Sequence, residues 1–141
     1  MRVLFDTNVI LDVLLDREPF SRSASALLTK VEKGEITGLV CAASVTTIYY
    51  LVNKAYSREK ATECIEFLLA LMEIAPVNRV VVDTAFKQKR FRDFEDAVIY
   101  ASAVHSGCSC VVTRNISDFP ASEIPVFLPD ELLKLLNARK K

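Results

Sequence analysis

Asp6-Thr7-Asn8 stands between two apolar runs, Val3-Leu4-Phe5 and Val9-Ile10-Leu11. A buried strand that delivers a carboxylate at its carboxyl end, with a helix starting at once behind it, is a functional layout in α/β proteins, where ligands bind just beyond the carboxyl ends of parallel strands. Two more acidic and polar clusters recur downstream at matching places. Asp93-Phe94-Glu95-Asp96 should open a helix, and Thr113-Arg114-Asn115 with Asp118-Phe119 should follow a strand. Asp6, Asp96 and Asp118 offer oxygen only, which suits a hard divalent cation, Mg²⁺ or Mn²⁺. Such an ion turns a bound water into a nucleophile and offsets charge developing on a phosphate. The constellation therefore points to phosphodiester hydrolysis rather than acyl transfer. With His105 the only histidine, no Ser-His-Asp arrangement assembles readily.

Each acid also has a plainer role open to it. Asp6 could simply cap the helix behind it, and Asp93 reads as the N-cap of the next acidic helix. Asp96 stands where a capping box wants an acid, and Asp118 before Phe119-Pro120 could make an Asx-turn. Three carboxylates at corresponding ends of one sheet are less easily explained as separate caps. Lys87, Lys89, Arg90 and Arg92 form a basic run just before the acidic helix. It is either a solvated helix end or a patch that would meet RNA phosphates beside the metal. Arg114 is the better single candidate for a phosphate contact. Tyr49, Tyr50 and Tyr56 fit core packing or a protein interface better than base stacking, and His105 fits packing or helix capping better than catalysis.

The elements that must position these residues alternate between strand and helix. Residues 2–6 read as a central strand and 8–15 as a short helix closed by Asp16-Arg17-Glu18-Pro19. Ala24, Leu27, Leu28 and Val31 fall at the spacing of an amphipathic helix that Gly34 should end. A second buried strand covers 39–42, and Ser44 is placed to cap a helix running to about Tyr56. Ser57 should cap the next helix, followed by a short strand over 74–77 and a helix across about 80–90. The helix over 94–106 is apolar on nearly every face and should be buried, with Gly107 ending it. Strands over 109–113 and 126–128 follow, and Pro129 opens a last helix. This alternation implies an α/β fold, a central parallel sheet covered on both sides in three α/β/α layers.

The 141 residues suit one domain, 1–141. Half of them are hydrophobic (51%) and 26% are charged, a globular composition. Eighteen basic residues balance 18 acidic ones, so net charge gives no argument for nucleic acid, and RNA would have to be met by a local patch. No apolar stretch is long enough for a membrane span. The chain opens directly in a strand, which leaves no expected room for a signal sequence. Four cysteines without a CxxC pair read as buried small hydrophobes in a reducing, cytoplasmic setting, with Cys108 and Cys110 spaced as on one face of a strand.

These residues resemble the PIN-domain family over nearly the whole chain. Val3-Leu4-Phe5-Asp6-Thr7-Asn8-Val9 resembles its first motif, Asp96-Ala97-Val98-Ile99-Tyr100-Ala101-Ser102-Ala103 its central acidic helix, and Val111-Val112-Thr113-Arg114-Asn115-Ile116-Ser117-Asp118-Phe119 its third motif. The resemblance implies a compact α/β/α sandwich and a Mg²⁺- or Mn²⁺-dependent ribonuclease, with small prokaryotic members often toxins that dimerise and are blocked by an antitoxin. It matches Asp6, Asp96 and Asp118 to the metal-binding acids, with Asn8, Thr113 and Asn115 in support. One position departs: the further Glu usual on the helix after the second strand falls at Thr47, and no carboxylate lies between Glu35 and Glu59. A neutral hydroxyl there lowers the site's negative charge, and Asp93 or Glu95 would have to compensate. The competing expectation is therefore a catalytically weakened PIN-like module that binds RNA or a protein partner. A phosphotransfer protein fits poorly, since Asp6-Thr7-Asn8 lacks the DxD pair of haloacid-dehalogenase-type phosphatases and no late receiver-type Lys follows a strand.

Overall fold

The computed structural model describes residues 1–120 and 123–139. Its strands are β1 (Arg2–Phe5), β2 (Thr37–Cys41), β3 (Glu73–Ala75), β4 (Cys110–Val112) and β5 (Val126–Phe127). They form one sheet in the order β3-β2-β1-β4-β5 with every pairing parallel. β1 is central because its run Val3-Leu4-Phe5 can be buried on both faces. Leu4 sits in register with Leu39 of β2 and Val111 of β4.

Among the described residues seven helices cover the sheet: α1 (Thr7–Leu14), α2 (Ser21–Glu32), α3 (Ala42–Ala55), α4 (Arg58–Leu71), α5 (Arg79–Phe86), α6 (Phe94–His105) and α7 (Pro129–Arg139). The pleat sends alternate side chains to opposite faces. Val3, Phe5, Val40, Cys110 and Val112 pack with α1, α2, α3, α4 and α7, whereas Leu4, Leu39, Cys41 and Val111 pack with α5 and α6. The expected three layers are thus realised, and α6 is buried from Ala97 to Ala103. Gly34 and Gly107, at φ 75° and 70°, end α2 and α6 in the left-handed conformation that glycine adopts without a Cβ penalty. Among the described residues no helix is long and apolar enough to cross a membrane.

Several local expectations shift. α3 starts at Ala42 behind Cys41, so Ser44 lies inside the helix, where its hydroxyl accepts from Thr7 Oγ1 at 2.7 Å instead of capping. α5 stops at Phe86, leaving the basic residues 87–92 in an irregular approach to α6. Cys108 precedes β4 and packs on the α5–α6 side, while Cys110 packs on the other, so the two do not share a strand face. All four cysteines are free and buried. His105 Nδ1 lies 2.9 Å from the Ala101 carbonyl oxygen, a local helix contact. Tyr49 packs on the core, while Tyr50 and Tyr56 are exposed.

Candidate metal centre

β1 and β4 are neighbours, yet the chain leaves them in different directions: from β1 it winds to β2 and β3, and it returns to β4 on the other side. A crevice opens at the carboxyl ends of two such strands. Asp6 follows β1 there and Thr113 follows β4. Asp6 is 5% exposed and is the N-cap of α1. Its Oδ1 accepts from the Thr7 backbone N–H at 2.8 Å, and its Oδ2 accepts from Thr113 Oγ1 at 2.8 Å. Thr113 Oγ1 in turn accepts from the Asn115 N–H at 3.1 Å. The cap is therefore real, and it also fixes the carboxylate against β4.

Asp96 occupies the first turn of α6. Asp93 caps that helix, accepting from the Glu95 N–H at 2.8 Å. The capping-box role expected for Asp96 is not taken up: among the described residues no hydrogen bond reaches its carboxylate. Burial raises its pKa to about 7, helped by the charges of Asp6, Asp93, Asp118 and Glu95. Burial also raises the pKa of Asp6, against its hydrogen bonds from Thr113 and Thr7, with Glu95 and Asp118 adding repulsion. The acids from the β1 end, the start of α6 and the turn after β4 thus share one electrostatic neighbourhood.

Asp96, Asp93 and Asp118 line a cleft of about 430 Å³ together with Ser117, Arg90 and Arg92. Asp6 is not part of this lining, and its charge acts on Asp96. Asp118 ends a single 3-10 turn (Ile116–Asp118) and is exposed, whereas the next residue, Phe119, is buried against Phe91. The donor set fits a hard cation in chemistry, being all oxygen and rich in mutual repulsion. Among the described residues no three such groups stand close enough to grip an ion unaided. Mg²⁺ keeps several waters and commonly takes one or two carboxylates directly, so some of these acids would meet a cation through its waters.

The other candidate residues sort into distinct places. Asn8 Oδ1 accepts weakly from the Arg114 N–H at 3.4 Å. Thr47 is half-buried, one turn after Ser44 on the same face of α3, and brings no charge. Lys89 lies over the Phe86 ring, 5.6 Å from its centroid, and is not part of the cleft lining. Asn115 lines a different cavity of about 450 Å³, with Phe20, Ser23, Arg114 and Leu128. Arg114 is already engaged, its Nε 2.7 Å from Asp12 Oδ2 and its guanidinium stacked 4.0 Å from the centre of the Phe20 ring. Asp12 was not singled out in the sequence, although it is the lone acid within the apolar run 9–15, and that isolation is the signal that could have found it. Ser44 reads from the sequence as a helix cap, and no local pattern marks Ser117 as a cleft residue.

Residues 2–117 match a sequence profile of the PIN domain family. The chain is 26% identical to Ribonuclease VapC1 of Aquifex aeolicus (strain VF5), over 96% of each chain. Its fold is similar to that of a toxin–antitoxin complex from Klebsiella pneumoniae, with TM-score 0.69, 21% identity, and 90% of this chain and 97% of that one covered. It is also similar to VapBC-1 from nontypeable Haemophilus influenzae, with TM-score 0.69, 14% identity, and 92% and 99% covered. On the match across residues 2–117, which takes in β1, the acidic helix and the turn up to Ser117, this chain belongs to the PIN domain family.

Proposed function

We propose that this protein is a Mg²⁺- or Mn²⁺-dependent ribonuclease, the toxin of a toxin–antitoxin pair, that hydrolyses RNA phosphodiester bonds. The observation that carries this reading is geometric: Asp93, Asp96 and Asp118 line one cleft with Arg90 and Arg92, and burial together with the neighbouring acids lifts the Asp96 pKa to about 7. Asp6, Asp96 and Asp118 would hold the cation. When bound, it would acidify a water and offset charge on the scissile phosphate. Asp6 is oriented for this by Thr7 and Thr113, and Asp118 is presented from the turn. Arg90 and Arg92 line the same cleft and would meet the RNA backbone, with Lys89 nearby on the surface. Family membership and the likeness to VapC1 support RNA as substrate. The toxin–antitoxin neighbours support an antitoxin partner. A homodimer accords with the exposed Val80, Val82 and Phe86 of α5 and Phe94 of α6.

The test is cleavage of a mixed RNA panel by pure, antitoxin-free protein with Mn²⁺ or Mg²⁺. Asp6→Asn and Asp96→Asn should each lower the rate by roughly 100-fold or more, since even outer partners of metal ligands are worth 10–100-fold. Metal-independent cleavage, or none with any RNA, would overturn the proposal. RNA binding without cleavage would favour the second reading, an inactive PIN-like binding module, which the neutral Thr47 supports.

A further inference from the structure

Asp12 is the one acid of α1, its side chain 1% exposed, and it takes no part in the cleft. It faces two cations, Arg114 Nε at 2.7 Å and Arg17 Nη1 at 3.7 Å. At 2.7 Å the Arg114 contact is a close, charge-assisted ion pair, and Arg17 stands farther off. A buried pair satisfied in this way is a weak source of stability, because desolvation offsets most of the attraction and a matched apolar pair would pack as well. Its value lies in where it fastens the chain. Arg114 directly follows Thr113, the hydroxyl that holds Asp6, and directly precedes the turn that carries Asp118.

That turn has little of its own to hold it. Residues 115–118 are exposed, and its internal backbone bonds are Asp118 N–H to the Asn115 carbonyl and Phe119 N–H to the Ile116 carbonyl, each 3.0 Å. Its far end is anchored by Phe119, buried edge-on to Phe91 at 6.1 Å. Its near end is anchored by Arg114, gripped between the Asp12 carboxylate and the Phe20 ring, with its N–H on Asn8. We propose that Arg114, held by Asp12 and Phe20, is a positioning residue that ties the Asp118 turn to α1 and so sets where Asp118 stands relative to Asp6 and Asp96. The consequence for metal binding rests on the function proposed above; the tether itself does not.

The test pairs two readouts on the full chain. The double variant Asp12→Leu/Arg114→Met removes both charges together and avoids leaving one buried alone. Amide hydrogen exchange should show lost protection confined to residues 115–119, with α1 and α6 unchanged. Mn²⁺ titration by calorimetry should show affinity lower by about tenfold or more. Arg114→Lys keeps charge but loses the planar stack on Phe20 and should fall between. Unchanged exchange in the turn overturns the tether, and lost protection with wild-type Mn²⁺ affinity overturns its role in placing Asp118. Should the wild type bind no Mn²⁺, the nuclease reading fails while the exchange result still decides the tether. If the double variant does not fold, Phe20→Ala at a 42% exposed position carries the same exchange readout.

Discussion

Asp96 and Asp12 are both acids whose pKa is raised first by burial, and they part at the next cause. Around Asp96 the neighbours are Asp6, Asp93, Asp118 and Glu95, which raise it further. Around Asp12 they are Arg114 and Arg17, which pull it back down. One region is a cluster of acids whose mutual repulsion a proton or a bound cation would relieve. The other is a buried acid paired with opposite charge, and the pairing joins two segments of chain. The edge of the sheet therefore holds mutually repelling acids beside an acid paired with cations, with the chain 113–118 running from one to the other.

The sharpest way to break this comparison is to remove each charge in turn. Asp12→Ala strands Arg114 beside a cavity and should destabilise the protein by about 3–5 kcal/mol, as breaking a buried pair does. Asp96→Asn, by contrast, removes a repelled charge and should leave the metal-free protein at neutral pH as stable as the wild type or more so. Urea unfolding of the two variants measures both. Equal losses would show that the two carboxylates stand in equivalent surroundings.

The frame of this contrast was readable from residue order alone. The apolar runs ending in Asp6 and Thr113, the buried helix behind Asp96 and the glycines at 34 and 107 each act through local propensity or burial. Strand alternation with helices then fixes the parallel sheet. What escaped were features made by tertiary pairing. Ser44 looks like a helix cap because its hydroxyl is suited to that, yet its partner is Thr7, 37 residues away. Asp12 is a lone acid in an apolar run with no local partner of its own, and the Arg114 that pairs with it arrives 102 residues later. Arg114 carries the charge expected of a phosphate contact, but whether a cation is free or spent depends on what packs against it, which no local pattern records.

A smaller effect sharpens the anionic side. Thr47→Glu adds a carboxylate on the face of α3 that Ser44 ties to α1. It should strengthen Mn²⁺ affinity on the order of tenfold, because affinity for hard cations follows ligand charge count, and should slightly destabilise the metal-free protein by adding repulsion. Calorimetric titration checks the first and thermal unfolding the second. Cleavage gained in this variant from an inactive parent would favour the binding-module reading. No change in affinity would show that position 47 does not face the cluster.

The gentlest test uses pH. A carboxyl raised from 3.8 to about 7 in the folded state keeps a proton that the unfolded chain releases, so the native state binds more protons throughout that window. Stability of the metal-free protein should therefore fall as pH rises from about 4 to about 7, then change little on this account. The raised pKa of Asp6 acts in the same direction, and the two titrate as a coupled set. Asp12 contributes the same sign, so slope alone does not separate the regions. A divalent cation does: bound only to the native state, it adds about 2.7 kcal/mol at a hundredfold excess over Kd. Because it competes with the proton on Asp96, that gain should grow as pH rises through the window. Asp96→Asn should shrink the slope and the gain together, whereas Asp12→Leu/Arg114→Met should lower the gain yet keep its growth with pH. Thermal unfolding across the window, with and without Mn²⁺, would sink the contrast if the cation's effect were the same at both ends.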